Sequence, residues 1–165
     1  MSTTSTSFAD SSALVKLYAS ESGAASVRAL DAISASELAR VEVPAAFWRK
    51  HRIGEISAPD VAVLVAAFEA DWFGTDEGDP RFAAVAVTGS VLDDAARLVA
   101  RHGLRAYDAV QLASACATRD AIEEDLLFAA FDKRLCEAAA TEGFGLLHDD
   151  LGSTADTPAE GGDRW

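Results

Sequence analysis

Short apolar runs alternate with stretches in which apolar residues recur at helical spacing, from about residue 6 to residue 148. Runs of the first kind read as strands and stretches of the second kind as amphipathic helices. Their alternation predicts an α/β domain with a mainly parallel central sheet of four or five strands and helices on both faces. The first strand ends at Phe8 and Ala9, and Leu14, Leu17 and Tyr18 then mark a helical face. Residues 33–35 read as a second strand. Ser36 is a good N-cap for a helix running through Leu38, Val41, Ala45 and Trp48. Pro44 lies inside that helix, so a kink or break is expected near Glu42. Pro59 opens the next helix, which buries Val61, Leu64, Val65 and Phe68 and ends at the acidic loop GTDEGDP.

Residues 84–87 read as a third strand. Val91, Leu92, Ala95, Leu98 and Val99 continue as a helix that Gly103 stops. Residues 107–118 form an alanine-rich helix suited to close packing on the sheet. Residues 126–131 have the most buried-looking strand pattern. A helix from Lys133 to Thr141 and a short strand at 144–147 close the domain. There is no internal repeat. Residues 1–148 are read as one domain. From Asp149 onward the chain reads DDLGSTADTPAEGGDRW, with little to bury, so residues 149–165 are read as a flexible acidic tail.

Composition narrows the picture. The 165 residues are 50% apolar, a globular composition long enough for a core of its own. The only cysteines, Cys116 and Cys136, are isolated from each other and from any histidine pair, which argues against a disulfide framework or a zinc site. Cys116, within LASACA, reads as a small core residue. The segment MSTTSTSFAD has no basic stretch followed by an apolar one, so no signal peptide is expected. No apolar stretch reaches the ~18 residues of a membrane helix, and a reducing, cytoplasmic setting is expected. With 27 acids against 14 bases the formal charge is -13, the wrong overall sign for a polyanion binder and the right one for cations or a basic protein partner.

Four acids stand out by position. Asp10 follows the first strand and Asp132 follows the strand LLFAAF. In an open α/β sheet ligands bind beyond the carboxyl ends of the strands, so these two share an edge if their strands are neighbours. Glu42 lies on the same side of its helix as Leu38 and Ala45, and Asp108 lies in the first turn of the alanine-rich helix. Each alone has a plainer explanation. Asp10 and Asp132 could cap the helices that begin beside them, Asp108 could serve the helix dipole, and Glu42 could be solvated. Together they would repel one another and raise one another's pKa unless a cation is present, and hard oxygen ligands suit Mg²⁺ or Mn²⁺.

FADSSALVKLY, SELARVE followed by VPAAFWR, GLRAYDAVQLASA and FAAFDKRLCEAA stand in that order along the chain. In order and rough spacing they resemble the PIN-domain family, and within it the VapC-type toxins of toxin–antitoxin pairs. The resemblance covers about residues 7 to 148. It places the family's acidic positions on Asp10, Glu42, Asp108 and Asp132, with Asp10 and Asp108 as the core metal ligands. Glu42 and Asp132 would bind a second metal or orient water, and Ser11 supplies a hydroxyl beside the first aspartate. Glu37 is the rival to Glu42 but is better explained as a first-turn acid. One departure is visible: Ala130 stands where many relatives carry Thr or Ser two residues before the last aspartate.

The resemblance implies a Mg²⁺- or Mn²⁺-dependent endoribonuclease, an RNA substrate, inhibition by a VapB-type antitoxin over the active site, and a homodimer. The densest basic cluster, Arg49, Lys50 and Arg52, is a candidate contact for RNA or antitoxin, with an ordinary solvated face as its plain alternative. Phe47, Trp48, Trp72 and Phe73 are better explained by packing or by an interface than by base stacking. A binding-only domain that complexes an antitoxin without cleaving RNA is the second reading. The third, an aspartate-based phosphoryl enzyme, ranks below both because Lys16 and Ser90 are poorly placed for it.

Overall fold

The structure, a computed structural model, describes residues 5–147. The expected tail at 149–165 lies outside the described residues. The elements in chain order are β1 (Thr6–Ala9), α1 (Ser11–Tyr18), α2 (Ala24–Arg28), β2 (Ala32–Ser36), α3 (Ala39–Arg52), α4 (Ala58–Phe73), β3 (Phe82–Val85), α5 (Gly89–His102), α6 (Ala106–Ile122), β4 (Leu127–Ala129), α7 (Lys133–Thr141) and β5 (Gly145–Leu146). The five strands form one sheet in the order β3-β2-β1-β4-β5, every pair parallel. Each crossover carries at least one helix, as parallel pairing requires.

Alternation along β1 explains the two layers. Phe8 faces one side, where its ring stacks on Phe128 at 5.8 Å and joins Leu98, Leu112 and Leu135 of α5, α6 and α7. Ala9 faces the other side, with Leu14 of α1, Phe47 of α3 and Phe68 of α4. Small residues in the centre let the helices approach: Ala109, Ala113 and Ala115 on α6 are buried, as the alanine-rich pattern predicts. Phe47 and Trp72 are core residues, Trp72 packing on Phe68 and Phe82, while Trp48 and Phe73 are exposed. Cys116 is half-buried beside the first of these cores, and burial pushes its thiol up to about 11. Among the described residues no helix is long and apolar enough to cross a membrane.

Local signals place the helix ends. Ser57 and Asp60 form a reciprocal capping box at the start of α4 with Pro59 in its first turn. Gly103 closes α5 in the left-handed region at φ 61, where a side chain would be strained. Two expectations fail at α3. Ser36 ends β2 instead of capping the helix; its hydroxyl accepts from the Leu38 amide at 3.3 Å, and α3 begins only at Ala39. The helix then runs unbroken through Pro44, which removes the amide donor to the Arg40 carbonyl without ending the element. Strand β3 lies two residues earlier than its apolar run suggests, because Phe82 pairs with Ile33 and Val85 with Ser36, and α2 has no counterpart in the periodicity.

Candidate active site

Strands β1 and β4 are parallel neighbours, with Ala9 paired to Ala129. The residues that follow them therefore emerge at the same edge of the sheet. Asp10 is the N-cap of α1: its Oδ1 accepts from the Ala13 amide at 2.9 Å and from the Ser12 hydroxyl at 2.6 Å. Asp132 is the N-cap of α7, its Oδ1 accepting from the Leu135 amide at 2.9 Å. The capping explanation of both residues is thus correct, and it leaves each second oxygen without a protein donor among the described residues. Ser12 also ties the two strand ends together, since its hydroxyl accepts from the Phe131 amide at 3.0 Å.

Glu42 reaches the same place from α3. Its Oε2 accepts from the Ser11 hydroxyl at 2.5 Å and from the Gln111 amide Nε2 at 2.6 Å. Asp108 sits in the first turn of α6, half-buried. Asp10, Ser11, Glu42, Asp108 and Asp132 all line one pocket of about 520 Å³. Glu37 does not; it lies on a separate groove beside Val41 and Phe73. Ala130 is buried against the α6 side of the sheet, and its carbonyl accepts from the Cys136 thiol at 3.3 Å, so no hydroxyl stands beside Asp132 at that position.

The electrostatics follow from crowding and burial. Asp10 is only 5% exposed, and burial raises its pKa to about 7. The hydrogen bonds from Ser12 and Ala13 oppose that rise, and the charges of Glu42 and Asp108 add to it. Asp108 is also raised, first by burial and then by Asp132, with Arg105 acting against it. Among the described residues no three His, Cys, Asp or Glu side chains stand close enough to hold a metal ion between them. The donor chemistry nonetheless fits a hard divalent cation. All the acids offer oxygen, three of them have one oxygen fixed and one without a protein donor, and the local excess of charge is unneutralised. Mg²⁺, which keeps several of its waters, suits such a spacing better than an ion that needs a full protein cage.

The basic cluster divides. Arg49 and Lys50 line the pocket and Arg52, fully outside it, is exposed. Lys50 is paired with Glu21 and, at 3.1 Å, with Glu55. Lys16, which sequence reasoning set aside, lines the pocket too; it meets Glu21 at 3.3 Å and lies 4.4 Å from the centre of the Phe131 ring. The hydrogen bond from Lys50 holds the Glu21 carboxyl below its ordinary range. The residue the sequence did not disclose is Gln111. It is 2% exposed, three residues after Asp108 on the same helix face, and it is a polar position within an otherwise apolar run.

The five-stranded parallel sheet in the order β3-β2-β1-β4-β5, with helices on both faces, is a PIN-like α/β fold. The chain is 35% identical over 138 residues to Ribonuclease VapC45 of Mycobacterium tuberculosis strain CDC 1551 / Oshkosh, spanning 81% of this chain and 89% of that protein. The same figures hold for Ribonuclease VapC49 of Mycobacterium tuberculosis strain ATCC 25618 / H37Rv. The chain belongs to the VapC ribonuclease family. The crystal structure of PAE2754 from Pyrobaculum aerophilum shares the fold, with a TM-score of 0.53 at 18% identity over 87% of this chain and 85% of that one. No protein-family model matches the chain.

Proposed function

We propose that the protein is a divalent-metal-dependent endoribonuclease acting as the toxin of a toxin–antitoxin pair. The observation that carries this is the convergence of Asp10, Glu42, Asp108 and Asp132 on one pocket, Asp10 being buried. Asp10 and Asp108 would be the core ligands of Mg²⁺ or Mn²⁺, and Glu42 and Asp132 would hold a second ion or orient water. The bound ion lowers the pKa of its water and offsets charge developing on the phosphate. The chain's own contribution is to aim one oxygen of Asp10, Glu42 and Asp132 by fixing the other, through Ser12, Ala13, Ser11, Gln111 and Leu135. No single carboxylate is assigned as the base, because coupled acids titrate as a set.

Charge counting supports a cation-dependent substrate. Six carboxylates and three bases line the pocket, so an RNA phosphate meets net repulsion until divalent ions enter. Arg49, Lys16 and Lys50 then remain to position the backbone. The same net negative charge favours a basic side chain from an antitoxin occupying the pocket, which would block catalysis and bind tightly at once. The exposed Val41 and Phe73 leave an apolar face for a second copy of the chain.

The test is cleavage of structured RNA by purified protein with Mg²⁺, Mn²⁺ or EDTA. Cleavage is expected only with the ions and is expected to be lost in a folded Asp10→Asn variant. Persistent metal-dependent cleavage by an Asp10→Asn, Asp108→Asn double variant would overturn the site. The binding-only reading draws on Ala130 and on the finding that no three acids among the described residues stand close enough to share one ion. It requires an inactive wild type that still binds its antitoxin tightly.

A further inference from the structure

Gln111 is out of place on physical grounds. It sits among Val110, Leu112 and Ala113, all buried, on a helix packed against the sheet. Its side-chain oxygen is buried without a hydrogen-bond partner among the described residues. An apolar residue of similar size would fill the same space without leaving a polar atom unsatisfied. The other end of the amide is fully used. Nε2 donates to Glu42 Oε2 at 2.6 Å and to Ser11 Oγ at 2.9 Å, and Ser11 itself donates to that Glu42 oxygen at 2.5 Å. Three side chains from α1, α3 and α6 therefore close a ring of hydrogen bonds around one carboxylate oxygen, and Glu42 Oε1 has no protein donor among the described residues.

We propose that Gln111 is the positioning residue of the pocket. It holds Glu42 in one orientation, with Oε2 tied back to the protein and Oε1 as the single oxygen offered to a cation or its water. The inference rests on the metal-dependent reading of the pocket. Gln111 itself touches neither ion nor RNA; it acts through Glu42. A planar amide with two donors suits this work because one proton goes to each partner, which fixes the carboxylate and the serine together. The pattern is that of an outer residue orienting a ligand.

The test uses Gln111→Met, which keeps the volume and removes both donors, and Gln111→Asn, which keeps the amide but shortens its reach. Mn²⁺ binding is read without RNA, from the free-ion paramagnetic resonance signal. Turnover is read separately as kcat and KM. Loss of the orienting contact is expected to weaken Mn²⁺ binding by about 10- to 100-fold and to lower kcat by a similar factor, with KM for RNA little changed. In a Glu42→Ala background the Gln111→Met change is expected to cost nothing further, which a merely structural role would not produce. Wild-type Mn²⁺ affinity and kcat in both folded variants would overturn the proposal, as would an equal loss in the Glu42→Ala background. An inactive wild type would instead sink the nuclease reading, while the Mn²⁺ arm would still judge Gln111.

Discussion

In Asp10→Asn a carboxylate that is 5% exposed becomes a neutral amide of nearly the same shape. The amide oxygen keeps the acceptor role toward the Ala13 amide and the Ser12 hydroxyl, so the α1 cap survives. What disappears is a buried charge. The wild-type carboxyl titrates near 3.8 when unfolded and near 7 when folded. Between those values the folded state holds the proton that the unfolded state has released, so stability falls as pH rises through that window and levels off above it. At about 1.4 kcal/mol for each tenfold change in proton affinity, the full penalty at pH 8 is ~4 kcal/mol. At pH 5 only ~2 kcal/mol of it has developed. The asparagine variant escapes the penalty, so in EDTA it is expected to be more stable than wild type, and the difference is expected to more than double between pH 5 and pH 8. For a chain of this length that corresponds to about 10 °C in Tm at pH 8, readable by thermal unfolding. Mg²⁺ is expected to raise the Tm of wild type and leave the variant nearly unchanged. A variant less stable than wild type at both pH values, or one whose advantage does not change with pH, would refute the buried-charge account of the pocket.

Two further outcomes follow from the pocket rim. Glu21→Gln should release Lys16 and Lys50 from their shared carboxylate. In an Asp10→Asn background that prevents cleavage, RNA binding by fluorescence anisotropy should tighten several-fold at low salt and become steeper in salt by about one charge; unchanged affinity would remove these lysines from the RNA path. Gly23 has φ 82, and a Cβ there would lie 2.4 Å from the Phe131 ring. Gly23→Ala should therefore cost about 1–2 kcal/mol for the left-handed backbone alone, measured by urea unfolding, and should disturb the ring that lies beneath Lys16 beside Asp132.

How far the sequence disclosed this arrangement depends on what each residue's role is defined by. Asp10 was legible because strand end, acid and helix start are consecutive, and Asp132 because it stands between the apolar run at 126–131 and a helix start, although β4 itself ends at Ala129. A mainly parallel sheet of four or five strands was legible from the period; that it has five strands, all parallel, is set by the structure. The offset of β3 was not legible, because the run at 82–87 is apolar throughout and only the partner strand decides which four residues pair. The start of α3 was misplaced because Ser36 has the right chemistry for a cap, while tertiary pairing with Val85 claimed its backbone for the sheet. The reading of Glu37 as a first-turn acid fails, because α3 begins at Ala39 and its first-turn acid is Glu42; in space the two face different cavities. Gln111 was hidden because a glutamine in a helix has no meaning until its neighbours on other elements are known, and Ser11 is 100 residues away. Lys16 reads from the sequence as poorly placed for an aspartate-based phosphoryl enzyme, yet its position at the rim is set by Glu21, five residues on.

The four acids differ in how firmly the protein holds them, and that difference has a chemical consequence. Asp10 and Asp132 are tied through Oδ1 to the first turns of their helices, and Glu42 is tied through Oε2 to Ser11 and Gln111. Asp108 receives no such hydrogen bond among the described residues, while burial and the charge of Asp132 oppose its ionisation. Three acids are therefore tied to the protein by hydrogen bonds and Asp108 is not, while burial opposes ionisation of Asp10 as well as of Asp108. A cation in the proposed site would offset first the burial of Asp10 and Asp108 and then their repulsion by neighbouring acids. Under the proposed function, a basic side chain brought in by a protein partner would meet the same charge, so the features that would recruit a metal would also suit an inhibitor.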